Sequence, residues 1–408
     1  MGQVAAVHAT DRFARKREAI LDASTGLLNK RGVKGLTLGL AADAVNLSTT
    51  SVTYYFKRKD DLAAACMLRG ISALTEIVHE ALGEATPRAQ LHALFGLYLD
   101  RVRRAELGEA APLPMLSDLR ALNLPQRGEV AQAFMKLFRK LRTMFEAPEL
   151  EWLSRGRRTA RTHMLFEQLF WAASWLPKYD PEDYGRIRER MFDILADGLA
   201  APGSAWGPLA IPMGELAPRG QEMGRDVFLL AATRLINRCG YRGASVDKIS
   251  AELNVTKGSF YHHNEAKDDL VVACFDRTFD VMTRVQRLAM GLPGDQWTRL
   301  SSAAAALAEY QLSEHGPLLR TSALAALPEP IRLEMVKHCD RVSDRFASMI
   351  SDGIAEGSIR PVDPFIAAQM LNATLNAGAE LGFWVPGVSQ KAAPAVFARP
   401  LLMGVFSR

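Results

Sequence analysis

Residues 17–66 of this chain return, without a gap, as residues 225–274. At that offset of 208 positions, sixteen of the fifty residues are identical, among them Arg17, Leu21, Asn29, Ser51, Lys59, Asp60, Asp61, Leu62 and Cys66. Shared helicity alone does not produce such agreement. Gly32/Gly240, Gly35/Gly243 and Asn46/Asn254 fall at the breaks between apolar stretches, where backbone geometry decides the residue. A fainter echo continues: LRALNLPQR (119–127) parallels LAALPEPIR (324–332), and ILADGL (194–199) parallels LLMGVF (401–406). The chain is therefore expected to fold as two related units of about 200 residues each, within the size range of ordinary domains. Its 408 residues are in any case too many for one compact core.

Each unit reads as helix throughout, because apolar residues recur at three and four and no long strict alternation appears. Ile20, Ala23, Leu27 and Leu28 mark one face of a helix expected to stop at Gly32, since a left-handed C′ residue costs least for glycine. Thr37 then offers a hydroxyl to cap a second helix over 38–45, Asn46 takes the turn, and Ser48 caps a third helix over 49–56. Asp60 and Asp61 sit at the positive end of a fourth. The second unit repeats this grammar with Gly240, Ser245 as cap, Asn254 as turn, Thr256 as cap, and Asp268 and Asp269 opening the fourth helix. Between the units, residues 199–224 are rich in proline and glycine and read as a linker.

Two short helices joined by a tight turn, the second polar on one face, make a helix-turn-helix. Val52 and Phe56 lie four apart and anchor the third helix, which leaves Thr49, Thr50, Thr53 and Tyr54 pointing outward. Hydroxyls and a ring, with no carboxylate before Asp60, suit a groove lined by acceptors and thymine methyls. The capped starts at Thr37 and Ser48 aim backbone N–H groups where a phosphate can accept them, and Lys59 can reach another. The charge agrees. Lys and Arg exceed Asp and Glu by 50 − 45 = 5, and residues 1–66 carry ten basic side chains against six acidic. Arg12, Arg15, Lys16 and Arg17 cluster ahead of the first helical pattern, as a basic arm would. Residues 219–274 net only 8 − 7 = +1.

The run GLTLGLAADAVNLSTTSVTYYFKRKDDL (35–62) resembles the signature of the TetR family of regulators in spacing and residue kind. GASVDKISAELNVTKGSFYHHNEAKDDL (243–270) is the nearer match. The resemblance implies an all-α fold of two TetR-like units, each a three-helix DNA-binding head followed by a helical domain that binds a small ligand and dimerises. The divisions expected are a first head (1–66), a first ligand and dimerisation domain (67–200), a linker (201–220), a second head (221–274) and a second helical domain (275–408). Carried over by position, base and phosphate contacts fall on Thr37, Ser48, Thr49, Thr50, Ser51, Thr53, Tyr54, Tyr55 and Lys59. In the second unit they fall on Ser245, Thr256, Lys257, Gly258, Ser259, Tyr261, His262, His263 and Lys267. Thr53 stands where the family has tyrosine, and Asn264 where it has a buried aromatic. The partners implied are a double-stranded DNA operator and a small-molecule inducer. A linker of about 25 residues makes the halves pair within the chain as a pseudo-dimer, because tethering raises effective concentration to about the millimolar range. The alternative is a protein in which one unit has lost DNA binding and serves as a pairing module.

Other features point to no further chemistry. His262 and His263 lie about 100° apart on a helix and do not chelate one ion easily, so no metal is expected. Cys66, Cys239, Cys274 and Cys339 are widely spaced, which argues against a zinc site or a disulfide framework. Cys66 and Cys274 read as small buried hydrophobes. The basic runs at 101–104 and 155–161 read as solvated helix faces. Trp171 and Trp175 lie in MLFEQLFWAASWL (164–176), which is apolar on nearly all sides and belongs to core or interface. Met115, Phe134, Phe138, Met144 and Phe145 read as core. There is no Gly-rich nucleotide loop and no nucleophile–base pair, so neither an enzyme nor a cofactor is expected. With no apolar signal segment and no uncharged span of about 20 residues, the expected location is the cytoplasm.

Overall fold

Capped turns, glycines and prolines cut the apolar periodicity into helices. The structure, a computed structural model, describes residues 2–217, 222–241, 243–252 and 267–408. Among these residues no strand forms, and the sheet-like pairing is an isolated bridge between Ala200 and Ile359. The first unit runs α1 Gly2–Gly35, α2 Leu38–Ala44, α3 Thr49–Tyr55, α4 Lys59–Ala81, α5 Pro87–Glu106, α6 Gln126–Arg142, α7 Arg155–Trp175 and α8 Tyr184–Asp197. The second runs α9 Glu222–Cys239, α10 Val246–Glu252, α11 Lys267–Met290, α12 Gln296–Gln311, α13 Glu329–Glu356 and α14 Pro364–Ala377. Short α15 Leu381–Trp384 and α16 Arg399–Leu402 close it.

Helix α1 departs from expectation at its start. Arg12, Arg15, Lys16 and Arg17 lie inside it rather than on an arm ahead of it. The segment before Arg17 holds several alanines and no proline, so nothing in its propensities stops the helix. The break at Gly32 appears as a kink within α1, with φ 65°. Helices α2 and α3 each end one residue earlier than expected, and Asn46 takes φ 53° in the turn between them. Helix α4 is long and apolar enough to cross a membrane by length and composition, but half of it is buried, and it packs on α1, α5 and α6.

The sequence repeat returns as repeated contacts. The Cys66 thiol donates to the Leu21 carbonyl at 3.7 Å and the Cys274 thiol to that of Leu229 at 3.5 Å. Burial pushes the two thiols up to about 11 and about 12, as suits small packed side chains. Arg69 pairs with Asp22 at 2.6 Å and Arg277 with Asp226 at 2.5 Å. Asn29 donates to the Leu113 carbonyl (2.9 Å) and accepts from Met115 N (2.8 Å). Asn237, its equivalent, donates to the Leu318 carbonyl (2.8 Å) and accepts from Arg320 N (3.0 Å). Each asparagine thus clamps the first helix of its head to the segment just before a long helix of the larger domain.

The two units meet along α7 and α14. Gln168 donates to the Met370 carbonyl and to Thr374 Oγ1, both at 2.9 Å, and Trp171 Nε1 donates to Gln369 Oε1 at 3.1 Å. The faint repeat at 194–199 and 401–406 lies at this contact: Val405 N donates to the Leu195 carbonyl and Leu199 N to that of Leu402, each at 2.8 Å. Gly198 (φ 73°) and Gly404 (φ 91°) stand back to back there, and a Cβ on either would come within 2.4 Å of a carbonyl oxygen. Both the dihedral and the approach require glycine.

Residues 201–217 of the Pro- and Gly-rich segment form no α-helix, only the short 3-10 turn Met213–Glu215, and they are strapped down. Trp297 Nε1 donates to the Ala205 carbonyl (2.9 Å), Leu209 N donates to Ser302 Oγ (2.8 Å), and Arg284 reaches the Ala217 carbonyl (3.3 Å). Ile211 and Leu216 are buried. These contacts fix the connection to α11 and α12 of the second unit.

Candidate nucleic-acid interface

In the first head the two caps form from local hydrogen bonds. Thr37 Oγ1 accepts from Leu40 N at 3.1 Å, and Ser48 Oγ accepts from Ser51 N at 3.2 Å. The hydroxyls of Ser48 and Ser51 also pair at 2.8 Å, so Ser51 supports the cap from within. Thr53 Oγ1 donates to the Thr49 carbonyl at 2.9 Å, a common use of threonine in helices. Val52 and Phe56 are buried, which turns the opposite face of α3 outward. Thr49, Thr50 and Thr53 are exposed on that face, and Tyr54 is 76% exposed.

Two side chains at the margins also make contacts within the head. The Lys59 ammonium donates to the Lys34 carbonyl at 3.3 Å, tying the end of α1 to the start of α4. Tyr55 is half-buried under Phe13 of α1, with ring centroids 4.6 Å apart, and Phe13 also meets Tyr54 edge-on at 5.9 Å. One turn further along α1, the Arg17 guanidinium stands 5.5 Å over the Phe56 ring. The amino-terminal part of α1 therefore props the end of α3. Phe13 and Arg17 stand four apart, a spacing that carries this meaning only once residues 12–17 are helical. Lys57 and Arg58 are exposed beside α3, Arg58 pairing with Asp61 at 3.1 Å.

In the second head Gly240 takes φ 72° and Ser245 Oγ accepts from Lys248 N at 3.3 Å, capping α10 as Thr37 caps α2. Lys267 begins α11. Thr256, Lys257, Gly258, Ser259, Tyr261, His262 and His263 lie outside the described residues.

Elsewhere, His163, Glu167 and Glu380 bring ligand atoms within 4.8 Å of one another. Arg320 pairs with both carboxylates, meeting Glu167 at 3.0 Å, and Arg120 pairs with Glu380. The cluster is thus already neutralised across the two units. His163 is buried against Trp384 and Phe397, and that burial lowers its pKa. One expectation is overturned in the run 155–161: Arg161 is buried rather than solvated. Its Nε donates to the Val405 carbonyl at 2.7 Å, because that carbonyl would otherwise lie unpaired in the contact between units. Trp175 is buried, and Trp171 joins the two units as described.

A family model, bacterial regulatory proteins of the tetR family, matches residues 20–66 and 228–274, which are the two heads. The chain belongs to the TetR family. Within this tandem TetR-family chain, each match begins inside the first helix of a head and closes in the first turns of the helix after it, α4 or α11. Similar proteins include the transposon Tn10 TetC protein of Escherichia coli, 24% identical over 133 residues, covering 33% of this chain and 66% of TetC. The regulator BetI of Burkholderia thailandensis is 35% identical over 88 residues, covering 21% of this chain and 45% of BetI. The chain thus spans less than two thirds of the length of these relatives. Among solved structures, the TetR-family regulator PfmR of Thermus thermophilus aligns over 44% of this chain and 99% of its own, at 20% identity and TM-score 0.37. The ketosteroid regulator KstR2 of Mycobacterium tuberculosis aligns over 46% and 96%, at 17% identity and TM-score 0.37.

Proposed function

We propose that this TetR-family chain is a cytoplasmic transcriptional regulator, a repressor released by a small ligand, which grips one operator as a single-chain pseudo-dimer. The observation that carries the reading is the face of α3: a capped helix held from behind by Val52 and Phe56, presenting Thr49, Thr50, Thr53 and Tyr54 to a groove. Contacts between α7 and α14 support pairing of the two halves within one molecule. Thr37, Ser48 and Ser51 are proposed to position the backbone N–H groups that meet phosphates, and Tyr55 and Lys59 to contact the DNA themselves. In the second head the proposed contacts are Ser245, Thr256, Lys257, Gly258, Ser259, Tyr261, His262, His263 and Lys267.

Identical recognition helices impose a palindrome on their operator. Here Thr49, Thr50, Thr53 and Tyr54 are matched, 208 positions on, by Lys257, Gly258, Tyr261 and His262. Lysine suits guanine acceptors and threonine methyls suit thymine, so the operator is non-palindromic, with its guanine-bearing half read by residues 256–263. Selection of bound DNA from a random pool tests this. The wild type is expected to return two unlike half-sites, and Lys257→Ala to relax one of them, at a cost of about 1–3 kcal/mol. A palindrome from the wild type overturns the asymmetric reading. A single half-site would make one of the two units a pairing module.

A further inference from the structure

The two helical domains are unequally filled. In the second, a narrow cavity of about 50 Å³ lies between α11, α13, α14 and residues 318–321, and Glu167 and Trp171 of α7 close it from the first unit. Thr278 lines it, and its hydroxyl accepts from Leu319 N at 3.0 Å. The residue 208 positions before Thr278 is Gly70. There Pro114 presses so close that a Cβ on Gly70 would sit 2.2 Å from the proline ring. Across the cavity stand Cys339 and Ser343. In the register of LRALNLPQR and LAALPEPIR, 205 positions apart, their equivalents are Phe134 and Phe138. These rings pack against Phe166 (5.3 and 5.8 Å), and Phe138 stacks on Trp384 at 4.2 Å. Two phenyl rings and a proline occupy in the first unit what a thiol and a hydroxyl leave open in the second.

The lining specifies a chemistry. Phe275, Phe279, Met282 and Val342 make the walls apolar. The charge at the rim is spent, because Glu167 is held by Arg320 at 3.0 Å. One buried acceptor lacks a partner: Asn372 Oδ1, whose amide nitrogen donates to Ser343 Oγ. A buried acceptor left unpaired favours whatever brings it a donor. The cavity is also small beside ordinary ligand sites of about 300–1,000 Å³, so an occupant must push its walls apart. One wall is the 318–321 segment, and the Leu318 carbonyl is where Asn237 clamps the first helix of the second head.

We propose that the second unit alone holds the effector site, which takes an uncharged, largely apolar molecule with one hydrogen-bond donor directed at Asn372 Oδ1. Entry displaces residues 318–321 and, through Asn237, α9 and the second head. This deepens the ligand-responsive reading above and rests on it for its biological meaning, but the test needs no DNA.

Calorimetric titration of the full chain with indole, and with 1-methylindole as the donor-free control, tests it. Indole is expected to bind at one site per chain, and 1-methylindole about tenfold more weakly, as the loss of one buried hydrogen bond requires. Ser343→Phe and Cys339→Phe, which copy the first unit, should each abolish binding, while Asn372→Leu should bring the two compounds to equal affinity. Thermal melts of each variant identify any that fails to fold, and the folded ones decide. Two sites per chain, no saturable binding, or undiminished binding to a filled cavity would overturn the proposal. Operator shifts run on the same proteins report separately on DNA binding, so a failure there bears on the regulator and not on the cavity.

Discussion

Asn29 and Asn237 show what a single residue carries in this fold. Each satisfies one carbonyl and one N–H on a segment more than eighty residues away. The sequence marks both as identical across the repeat, yet nothing local tells what they hold, because their partners are brought near only by tertiary packing. Asn29→Ala strands the Leu113 carbonyl and the Met115 N–H, and a loss of about 2 kcal/mol is expected in urea denaturation. A loss under about 0.5 kcal/mol would mean that water takes over both groups. Glu380 gives a pH dependence. Burial pushes its carboxyl up, but Arg320 and Arg120 beside it more than reverse that and bring it down to about 2. A folded pKa below the unfolded value stabilises above the unfolded pKa, near the usual 4.5, and the stabilisation is lost as pH falls towards 2. Thermal melts from pH 6 down to pH 2 should therefore drop through that window, and Glu380→Gln, already weakened at pH 6, should drop less steeply.

At the scale of elements, the helix-turn-helix was the legible part. Thr37, Ser48, Asn46 and Gly32 act through neighbours three or four residues away, so their roles can be read off the chain, and α2 and α3 lie within a residue of their expected limits. The helical course of residues 12–17, the strapping of the linker and the burial of Arg161 were not legible. Each depends on surfaces supplied by distant segments. Phe134 and Phe138 read as core, but the contrast with Cys339 and Ser343 has meaning only once both units are folded and compared. Gly198 and Gly404 belong to the same class: they lie in the faintly similar runs 194–199 and 401–406, and only packing shows that these runs meet. Gly198→Ala adds a strained φ and a clash with the Leu402 carbonyl. It is expected to cost about 2–4 kcal/mol, read as a lower melting temperature. An unchanged melt would mean that the α8 terminus and the C-terminal segment separate at little cost.

For the whole molecule, charge is placed unevenly, and the first head carries most of it. Arg15, Lys16 and Arg17 lie on α1, which reaches the end of α3 through Phe13 on Tyr55 and Arg17 over Phe56. Replacing all three with glutamine should weaken binding to every DNA sequence and flatten the salt dependence, by about 0.9 in slope for each phosphate no longer neutralised. An unchanged slope would remove this part of α1 from the interface. The joining of two unlike heads by a strapped connection has a consequence for regulation at low copy number. Regulators that assemble from separate subunits lose operator occupancy with the square of their concentration once subunits dissociate. On the proposed pairing, a chain that brings both heads on one backbone would lose it only in direct proportion. Each substitution would then enter the complex once instead of twice, so under that proposal one head could drift towards a new half-site while the other keeps hold of the old.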